Sequence, residues 1–102
     1  MILFFYGSLK RGWSNHHLVT DGKFLGTART FPHYRLIDLG EYYGMIRDDV
    51  NGMTILGELW EVNEHCLAVL DAFEGPDYPR QSVDIVQRGD VQGYLWAGES
   101  HD

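Results

Sequence analysis

The sequence predicts an α+β protein: a small mixed-strand, β-barrel-like sheet with one main helix and a second short helix. Three observations predict this class. Many short apolar or alternating segments are separated by turns, one segment repeats its apolar residues with a helical period, and 12 of the 102 residues are glycine. Short strands need frequent turns, and glycine adopts turn conformations at little steric cost. At this length we expect a single domain, residues 1–102.

Several short segments in the first two thirds of the chain have strand patterns. Turns are predicted at Gly7-Ser8, where the first strand ends, and at Asn51-Gly52, before the last of them. A loop over residues 40–44 carries two tyrosines. Glu58 lies within the last strand and needs a partner or an open cavity if its side chain points inward. The predicted strands cover residues 2–6, 24–29, 34–39, 45–46 and 54–62, with Ile55, Leu59 and Trp60 as core residues of the last.

One segment has the period of an amphipathic helix. Asn63 is suited to the N-cap, and Glu64 follows in the first turn, where a negative charge is favourable. Gly75-Pro76 ends the helix. A second, short helix is predicted over residues 16–20, capped by Ser14 or Asn15. The apolar stripe of the main helix consists of Cys66, Leu67, Leu70 and Phe73.

The last part of the chain predicts a closing hairpin. Strands over residues 82–87 and 91–97 flank Arg88-Gly89-Asp90, a sequence typical of a turn. A polar tail follows over residues 98–102. The sequence contains no internal repeat, linker or low-complexity segment.

Composition and charge exclude several classes of protein. The formal net charge is −7 and the basic residues are scattered, whereas nucleic-acid binding requires clustered Lys and Arg. No segment approaches the run of about 20 apolar residues that a membrane span requires. The N-terminal segment lacks the basic region of a signal peptide and is predicted as a strand instead. The one cysteine, Cys66, cannot form an intramolecular disulfide, so we expect a cytoplasmic protein.

Glu74 is the first candidate for a catalytic residue. It lies where the main helix is predicted to end, and most glutamates in such a position are simply exposed to solvent. Its context also allows a functional interpretation. The helix macrodipole is negative at this end, and the rings of Phe73 and Tyr78 can desolvate a nearby carboxylate. Both effects raise the pKa of Glu74 towards the range in which a carboxyl group works as base and acid near neutral pH.

The segment Tyr6-Gly7-Ser8-Leu9 is the second candidate. A glycine turn at the end of a strand is common and often has no function. In the functional interpretation, glycine permits close approach and successive backbone N–H groups converge on an anion. The segment is not a P-loop, because G-x-x-x-x-G-K-[ST] is absent. Ser8 lacks the G-x-S-x-G pattern of a nucleophile, so its hydroxyl is expected to bind rather than attack.

The remaining reactive residue types form no catalytic or metal-binding pattern. His16 and His17 are adjacent, and neither H-x-x-x-H nor C-x-x-C occurs, so no metal site is predicted. Cys66 lies on the apolar stripe of the helix, which favours a core thiol over a nucleophile. The tryptophans, which we expect in the core or in a pocket wall, are Trp13, Trp60 and Trp96.

The order of these motifs resembles that of the γ-glutamylcyclotransferase-like family, in particular its small γ-glutamylamine cyclotransferase branch. The resemblance extends over nearly the whole chain, and although each motif is short, their ordered combination is specific. The motifs are Tyr6-Gly7-Ser8-Leu9-Lys10 with Gly12 and Asn15, Gly26, residues 34–36, Gly57-Glu58-Leu59, residues 70–75, Tyr78 and Arg80.

The resemblance implies a compact barrel with flanking helices and a cavity beside the first loop. It implies that Glu74 is the catalytic residue and that Tyr78 orients Glu74 or lines the pocket. It implies no metal and no organic cofactor. The reaction would convert a γ-glutamyl amide into 5-oxoproline, by attack of the substrate's own α-amine, and release the free amine. The residues implied to bind this small-molecule γ-glutamyl substrate are Tyr6, Gly7, Ser8 and Leu9.

The sequence departs from the family at two places. Tyr42-Tyr43-Gly44 stands where the family often has a proline after an aromatic residue, and few residues follow Trp96, where larger relatives have further substrate contacts. Both departures bear on the identity of the leaving amine, which the sequence leaves open together with the oligomeric state. Two other classes of function stay open as well: a non-catalytic binding module for a carboxylated small molecule, and a structural or interaction protein with an acidic surface.

Overall fold

The computed structural model describes residues 1–98 and confirms the predicted α+β class. Its elements are β1 (Ile2–Phe5), a 3₁₀ helix (His16–Leu18), β2 (Lys23–Arg29), β3 (Tyr34–Asp38), β4 (Tyr43–Arg47), β5 (Leu56–Glu61), α1 (Glu64–Glu74), β6 (Arg80–Ser82) and β7 (Val91–Tyr94). A mixed sheet has the strand order β2-β5-β1-β7-β6, and β3 pairs with β4 in a second, two-stranded sheet. Only β1 and β7 run parallel; the other pairs in this part of the chain are antiparallel.

The two edges of the five-stranded sheet meet, which makes the sheet barrel-like. Thr30, just after the edge strand β2, forms an isolated bridge with Ile85, which follows the other edge strand, β6. The backbone N–H of Phe31 donates to the carbonyl of Asp84 at 3.0 Å. These contacts satisfy backbone groups that an open sheet would leave exposed at its edges.

β1 lies at the centre of this sheet and is buried on both faces. Leu3 and Phe5 pack in one apolar cluster with Cys66 and Leu70 of α1. Phe4 points the other way, into a second cluster that contains residues of β3 and β4. Burial on both faces explains why the sequence of β1 is an uninterrupted apolar run rather than an alternation.

The main helix begins and ends where the sequence predicts. The side-chain oxygen of Asn63 accepts the backbone N–H of Cys66 at 2.8 Å, and Gly75 follows the last turn with a φ of 70°. Cys66 and Leu70 are fully buried, as expected for the apolar stripe. Phe73, the last residue of the predicted stripe, is not buried with the others: its side chain is about half exposed, because the last turn of α1 lies at a cavity.

The short helix is a 3₁₀ turn of His16–Leu18 rather than a helix over residues 16–20. Asn15 does not cap it. Its side-chain amide instead donates to the hydroxyl oxygen of Ser8 at 2.8 Å. A tertiary contact within the preceding loop therefore replaces the local capping bond that the sequence suggests.

The closing hairpin pairs β6 with β7. β6 (Arg80–Ser82) shares only Ser82 with the strand predicted over 82–87, so that prediction is wrong in position, and β7 ends at Tyr94 rather than at residue 97. Residues near Ile85 pair with the far edge of the sheet instead, which removes them from the hairpin. β4 begins at Tyr43, within the predicted loop over 40–44, and β5 begins at Leu56 rather than at residue 54. The polar tail predicted over 98–102 lies, apart from Gly98, outside the described residues.

Candidate active site

A cavity of about 440 Å³ lies between the loop after β1 and the C-terminal end of α1. This volume falls in the range of about 300–1,000 Å³ that is typical of small-molecule sites. The fold thus brings together two segments that lie far apart in the sequence. All the residues predicted for the site line this cavity: Tyr6, Gly7, Ser8, Leu9, Glu74 and Tyr78.

The loop after β1 is held in a defined turn by hydrogen bonds. The backbone N–H of Lys10 donates to the carbonyl of Gly7 at 3.1 Å, and that of Asn15 donates to the carbonyl of Ser8 at 2.9 Å. The ring Nδ1 of His16 lies 2.8 Å from the carbonyl oxygen of Leu9. The carbonyl groups of the loop are therefore occupied within the protein.

The backbone N–H groups of the same loop differ from its carbonyl groups in their hydrogen bonding. Within residues 1–98, no carbonyl oxygen accepts a hydrogen bond from the N–H of Gly7, Ser8 or Leu9. A Cβ built on Gly7 meets nothing within 4 Å, and Gly7 does not have a positive φ. Neither packing nor backbone strain requires glycine here. Successive N–H groups beside open space are suited to bind an anion.

Glu58 of β5 has a partner on this loop, as its predicted position requires. Its carboxylate accepts the backbone N–H of Arg11 at 2.8 Å and the guanidinium Nε of Arg11 at 3.3 Å. The indole N–H of Trp60 donates to it at 3.2 Å. Burial by itself raises the pKa of Glu58, but these bonds outweigh it and hold the pKa below its usual value of 4.5. Glu58 is therefore a charged anchor for the loop.

Asp71, one turn before Glu74 in α1, ties the helix to the sheet. Its Oδ1 accepts the hydroxyl of Tyr94 in β7 at 2.7 Å and the guanidinium Nε of Arg80 in β6 at 3.0 Å. Burial acts to raise the pKa of Asp71, but the bonds from Tyr94 and Arg80 outweigh it, so the pKa lies below 3.8. Asp71 is therefore charged and paired at neutral pH.

Glu74, by contrast, is an unpaired and half-buried carboxyl group. Within residues 1–98 it has neither a salt bridge nor a hydrogen bond, and burial alone raises its pKa from 4.5 to about 7. The rise agrees with the sequence-based expectation, and its cause is desolvation. A carboxyl group that titrates near neutral pH can accept a proton in one step and return it in the next.

The two tyrosines of the predicted site differ in the hydrogen bonds of their hydroxyl groups. That of Tyr6 donates to the carbonyl of Tyr94 at 2.7 Å and accepts the N–H of Met45 at 3.2 Å, so it is committed to the cavity wall. Tyr78 makes no side-chain hydrogen bond within residues 1–98, to Glu74 or otherwise. Of the two roles expected for Tyr78, the structure shows that it lines the cavity. Burial, followed by the charge of Glu74, raises the pKa of Tyr78 above 10.

Sequence reasoning missed part of the lining. Four aromatic side chains with exposed surface surround the cavity: Trp13, Tyr42, Tyr43 and Phe73. Trp13 is thus in a pocket wall, one of the two positions expected for a tryptophan, whereas Trp60 is in the core. The sequence signal for the tyrosines was an aromatic pair in a segment predicted to be a loop.

A second, more open cavity of about 470 Å³ lies elsewhere, lined by residues that include Phe31, His33 and Arg88. No residue predicted for the site lines it. In the part of the chain that the structure describes, no three His, Cys, Asp or Glu side chains are grouped to hold a metal ion. Nor does any helix of residues 1–98 have the length and apolar character needed to cross a membrane.

Comparisons with known proteins show the family to which the chain belongs. A family model described as "Gamma-glutamyl cyclotransferase, AIG2-like" matches residues 3–102. A putative gamma-glutamylcyclotransferase of Vibrio cholerae is 36% identical over 85 residues, which cover 81% of this chain and 71% of that protein. The gamma-glutamylaminecyclotransferase of Bos taurus is 36% identical over 102 residues, which cover 91% of this chain and 60% of the bovine protein.

The likeness extends to solved structures. The crystal structure of an AIG2-like protein from Mus musculus matches with a TM-score of 0.83 and 29% identity, covering 97% of this chain and 78% of that one. The family model covers all but the first two residues of the sequence, and the relatives exceed 30% identity over most of the chain. The chain therefore belongs to the gamma-glutamyl cyclotransferase, AIG2-like family.

Proposed function

We propose that the protein is a cyclotransferase that converts a γ-glutamyl amide into 5-oxoproline and releases the free amine. Glu74 supports this most directly, as an unpaired carboxyl group with a pKa of about 7 in the same cavity as residues 6–9. The names of the relatives point to the same reaction class. The proposed reaction requires no cofactor, because one amide bond replaces another and no electrons are transferred.

The loop after β1 would bind the α-carboxylate of the γ-glutamyl group. The N–H groups of Gly7, Ser8 and Leu9 are the proposed donors, because no carbonyl within residues 1–98 occupies them. The missing side chain of Gly7 allows the carboxylate to approach the backbone closely. The Ser8 hydroxyl, whose oxygen accepts the amide of Asn15, keeps its own proton for the substrate.

Glu74 would move the protons of the reaction. It first takes a proton from the substrate's α-ammonium, and the free amine then attacks the γ-carbonyl carbon and closes a five-membered ring. The carbonyl oxygen carries the negative charge of the tetrahedral intermediate. When the intermediate collapses, the C–N bond of the original amide breaks, and Glu74 returns its proton to the leaving nitrogen. The ring nitrogen, which carries two hydrogens after the attack, loses one of them as a second proton, and the released amine takes up that proton as its ammonium ion. The products are 5-oxoproline and a free amine, and no water is consumed.

The expected contributions to the rate of reaction are of ordinary size for such chemistry. Holding the amine against the carbonyl supplies about 7–11 kcal/mol in the best-oriented intramolecular reactions, and some of this is already intrinsic to a γ-glutamyl group. General acid–base catalysis by one positioned carboxyl group contributes about 10²–10⁴-fold. A pKa of about 7 suits both halves of the proton transfer, because the group is partly ionised at neutral pH.

The test is the release of 5-oxoproline from a panel of γ-glutamyl amides by the native chain and by Glu74→Gln. We expect the Gln variant to lose at least about 100-fold in kcat while still binding substrate. Glu64→Gln, at the exposed opposite end of the same helix, is the matched control and should retain full activity.

Equal turnover by the native chain and Glu74→Gln would contradict the proposed role of Glu74. Binding of γ-glutamyl compounds without turnover by the native chain would instead indicate the non-catalytic binding module. Failure to bind any of them would indicate the structural or interaction protein.

A further inference from the structure

The cavity that contains Glu74 has a buried floor and an exposed aromatic rim. Its floor is formed by side chains such as Phe4, Phe5 and Tyr94, which are almost inaccessible to solvent. Its rim carries exposed aromatic side chains: Trp13 at 58%, Tyr42 at 53%, Tyr43 at 57% and Phe73 at 46% relative exposure. We use "aromatic rim" for these residues.

The rim is assembled from separate parts of the fold. Trp13 lies in the loop after β1, Tyr42 and Tyr43 at the β3–β4 turn, and Phe73 in the last turn of α1. The β3–β4 turn is held by hydrogen bonds, since Leu39 N–H donates to the carbonyl of Tyr42 at 2.8 Å. Aromatic side chains from distant segments therefore converge on one opening and are held there by structure.

Such a surface is unfavourable unless something covers it. Each aromatic side chain can bury about 150–250 Å² of surface. Contiguous exposed apolar surface on a soluble protein commonly marks a binding site. Among the residues that line this cavity, the only acidic ones are Glu41 and Glu74, and none is basic. Lys10 Nζ lies over the Trp13 ring, 4.7 Å from its centre, but Lys10 does not line the cavity. The two carboxyl groups of the lining disfavour an anion, and the aromatic side chains of the rim favour an apolar group.

The position of Glu74 indicates which part of a substrate would reach the rim. The leaving nitrogen must lie within proton-transfer distance of the Glu74 carboxyl group. Phe73, a member of the rim, is the neighbour of Glu74 in the last turn of α1. The proposed function places the γ-glutamyl end at the loop after β1, so the substituent on the leaving nitrogen would extend past Phe73 towards the opening.

On the basis of the proposed function, we infer that the aromatic rim binds the amine part of the substrate. The enzyme then prefers γ-glutamyl amides whose amine carries a large apolar group, such as an aromatic ring or an alkyl chain of several carbons. Trp13, Tyr42, Tyr43 and Phe73 are the residues that determine this specificity.

The experiment compares kcat/KM for γ-glutamyl methylamide, hexylamide and benzylamide with the full chain. We expect kcat/KM for the hexyl and benzyl amides to exceed that of the methylamide by at least about tenfold, since apolar contacts in a pocket discriminate on this scale. The variants Tyr42→Ala and Tyr43→Ala should reduce this ratio several-fold. Phe31→Ala, which removes an aromatic side chain of 43% exposure outside this cavity, is the matched control and should leave the ratio unchanged.

Equal kcat/KM values for the three amides, or a ratio that neither tyrosine variant changes, would overturn the inference and leave the proposed function intact. No 5-oxoproline from any amide would overturn both together. Dimers of the native chain that dissociate in Tyr43→Ala, measured by sedimentation without substrate, would also overturn the inference, because the rim would then bind a second copy.

Discussion

Asp71 and Glu74 lie three residues apart on α1, yet the pKa of Asp71 is lowered and that of Glu74 is raised. Both are partly buried, so desolvation acts on both in the same direction. Arg80 and Tyr94 bind Asp71 and reverse the effect there, whereas no group within residues 1–98 does so for Glu74. One helix end therefore presents a structural carboxylate and a carboxyl group that titrates near neutral pH.

The pH dependence of activity should report the ionisation of Glu74. As the proposed base, Glu74 must be ionised before it can accept the ammonium proton. We therefore expect kcat/KM to rise with pH through about 7, the pKa of Glu74. The measurement is a pH–rate profile with a fast γ-glutamyl amide. A midpoint near 4.5, the ordinary value for a glutamate, would contradict the assignment.

The free energy of unfolding should fall as the same group, Glu74, ionises. Since the pKa of Glu74 is raised from 4.5 to about 7, the folded state binds more protons than the unfolded state in this window. The contribution of Glu74 is thus fully favourable below pH 4.5 and is lost as pH rises to 7. The loss is at most about 3 kcal/mol, and less because the partly exposed group is screened by solvent.

Glu74→Gln removes this ionisation, so we expect its free energy of unfolding to exceed that of the native chain at pH 8 and to match it near pH 4.5. Urea unfolding at both pH values measures the difference. The variant Glu64→Gln should not differ from the native chain in this way at either pH, because Glu64 is exposed. A native-like pH dependence in Glu74→Gln would show that Glu74 is not the buried group.

The addition of one methyl group should weaken substrate binding at Gly7 and lower stability at Gly57. A Cβ at Gly7 meets open space, so Gly7→Ala should unfold at the native temperature but bind substrate at least about tenfold more weakly. A Cβ at Gly57 would overlap the carbonyl oxygen of Phe5 and the ring of Phe4, so Gly57→Ala should lose about 1–3 kcal/mol or more. Thermal unfolding and KM separate the two effects. Unchanged KM in Gly7→Ala would argue against carboxylate binding at this loop.

Glu58 should act on substrate binding through the loop that it anchors. Glu58→Leu leaves the backbone N–H of Arg11 and the indole N–H of Trp60 without their acceptor, and the cost for the buried indole group is about 1–3 kcal/mol. We expect a raised KM for any γ-glutamyl amide with a smaller change in kcat, since Glu74 is untouched. Glu61→Leu, at an exposed position of the same strand, is the control. A fall in kcat alone would indicate a role other than loop anchoring.

Local interactions account for what the sequence predicted well. The capping bond of Asn63, the glycine that ends α1 and the apolar run of β1 depend on residues close together in the chain. The sequence also predicted residues 6–9, Glu74 and Tyr78 as a set, and these residues line one cavity; their roles stay predictions. The α+β class follows from the same local patterns, because short strands and a single amphipathic helix leave few ways to bury their apolar faces.

Contacts between distant residues decided the rest. Ile85 is absent from the predicted hairpin because it pairs with Thr30 at the far edge of the sheet. Over a shorter separation of seven residues, the Asn15 side chain binds Ser8 instead of capping the short helix. Phe73 has the spacing of a core residue but lies at the opening of a cavity, which only the packing of α1 against the sheet determines. The raised pKa of Glu74 arises in the same way, because burial and the absence of a partner within residues 1–98 are properties of the assembled fold.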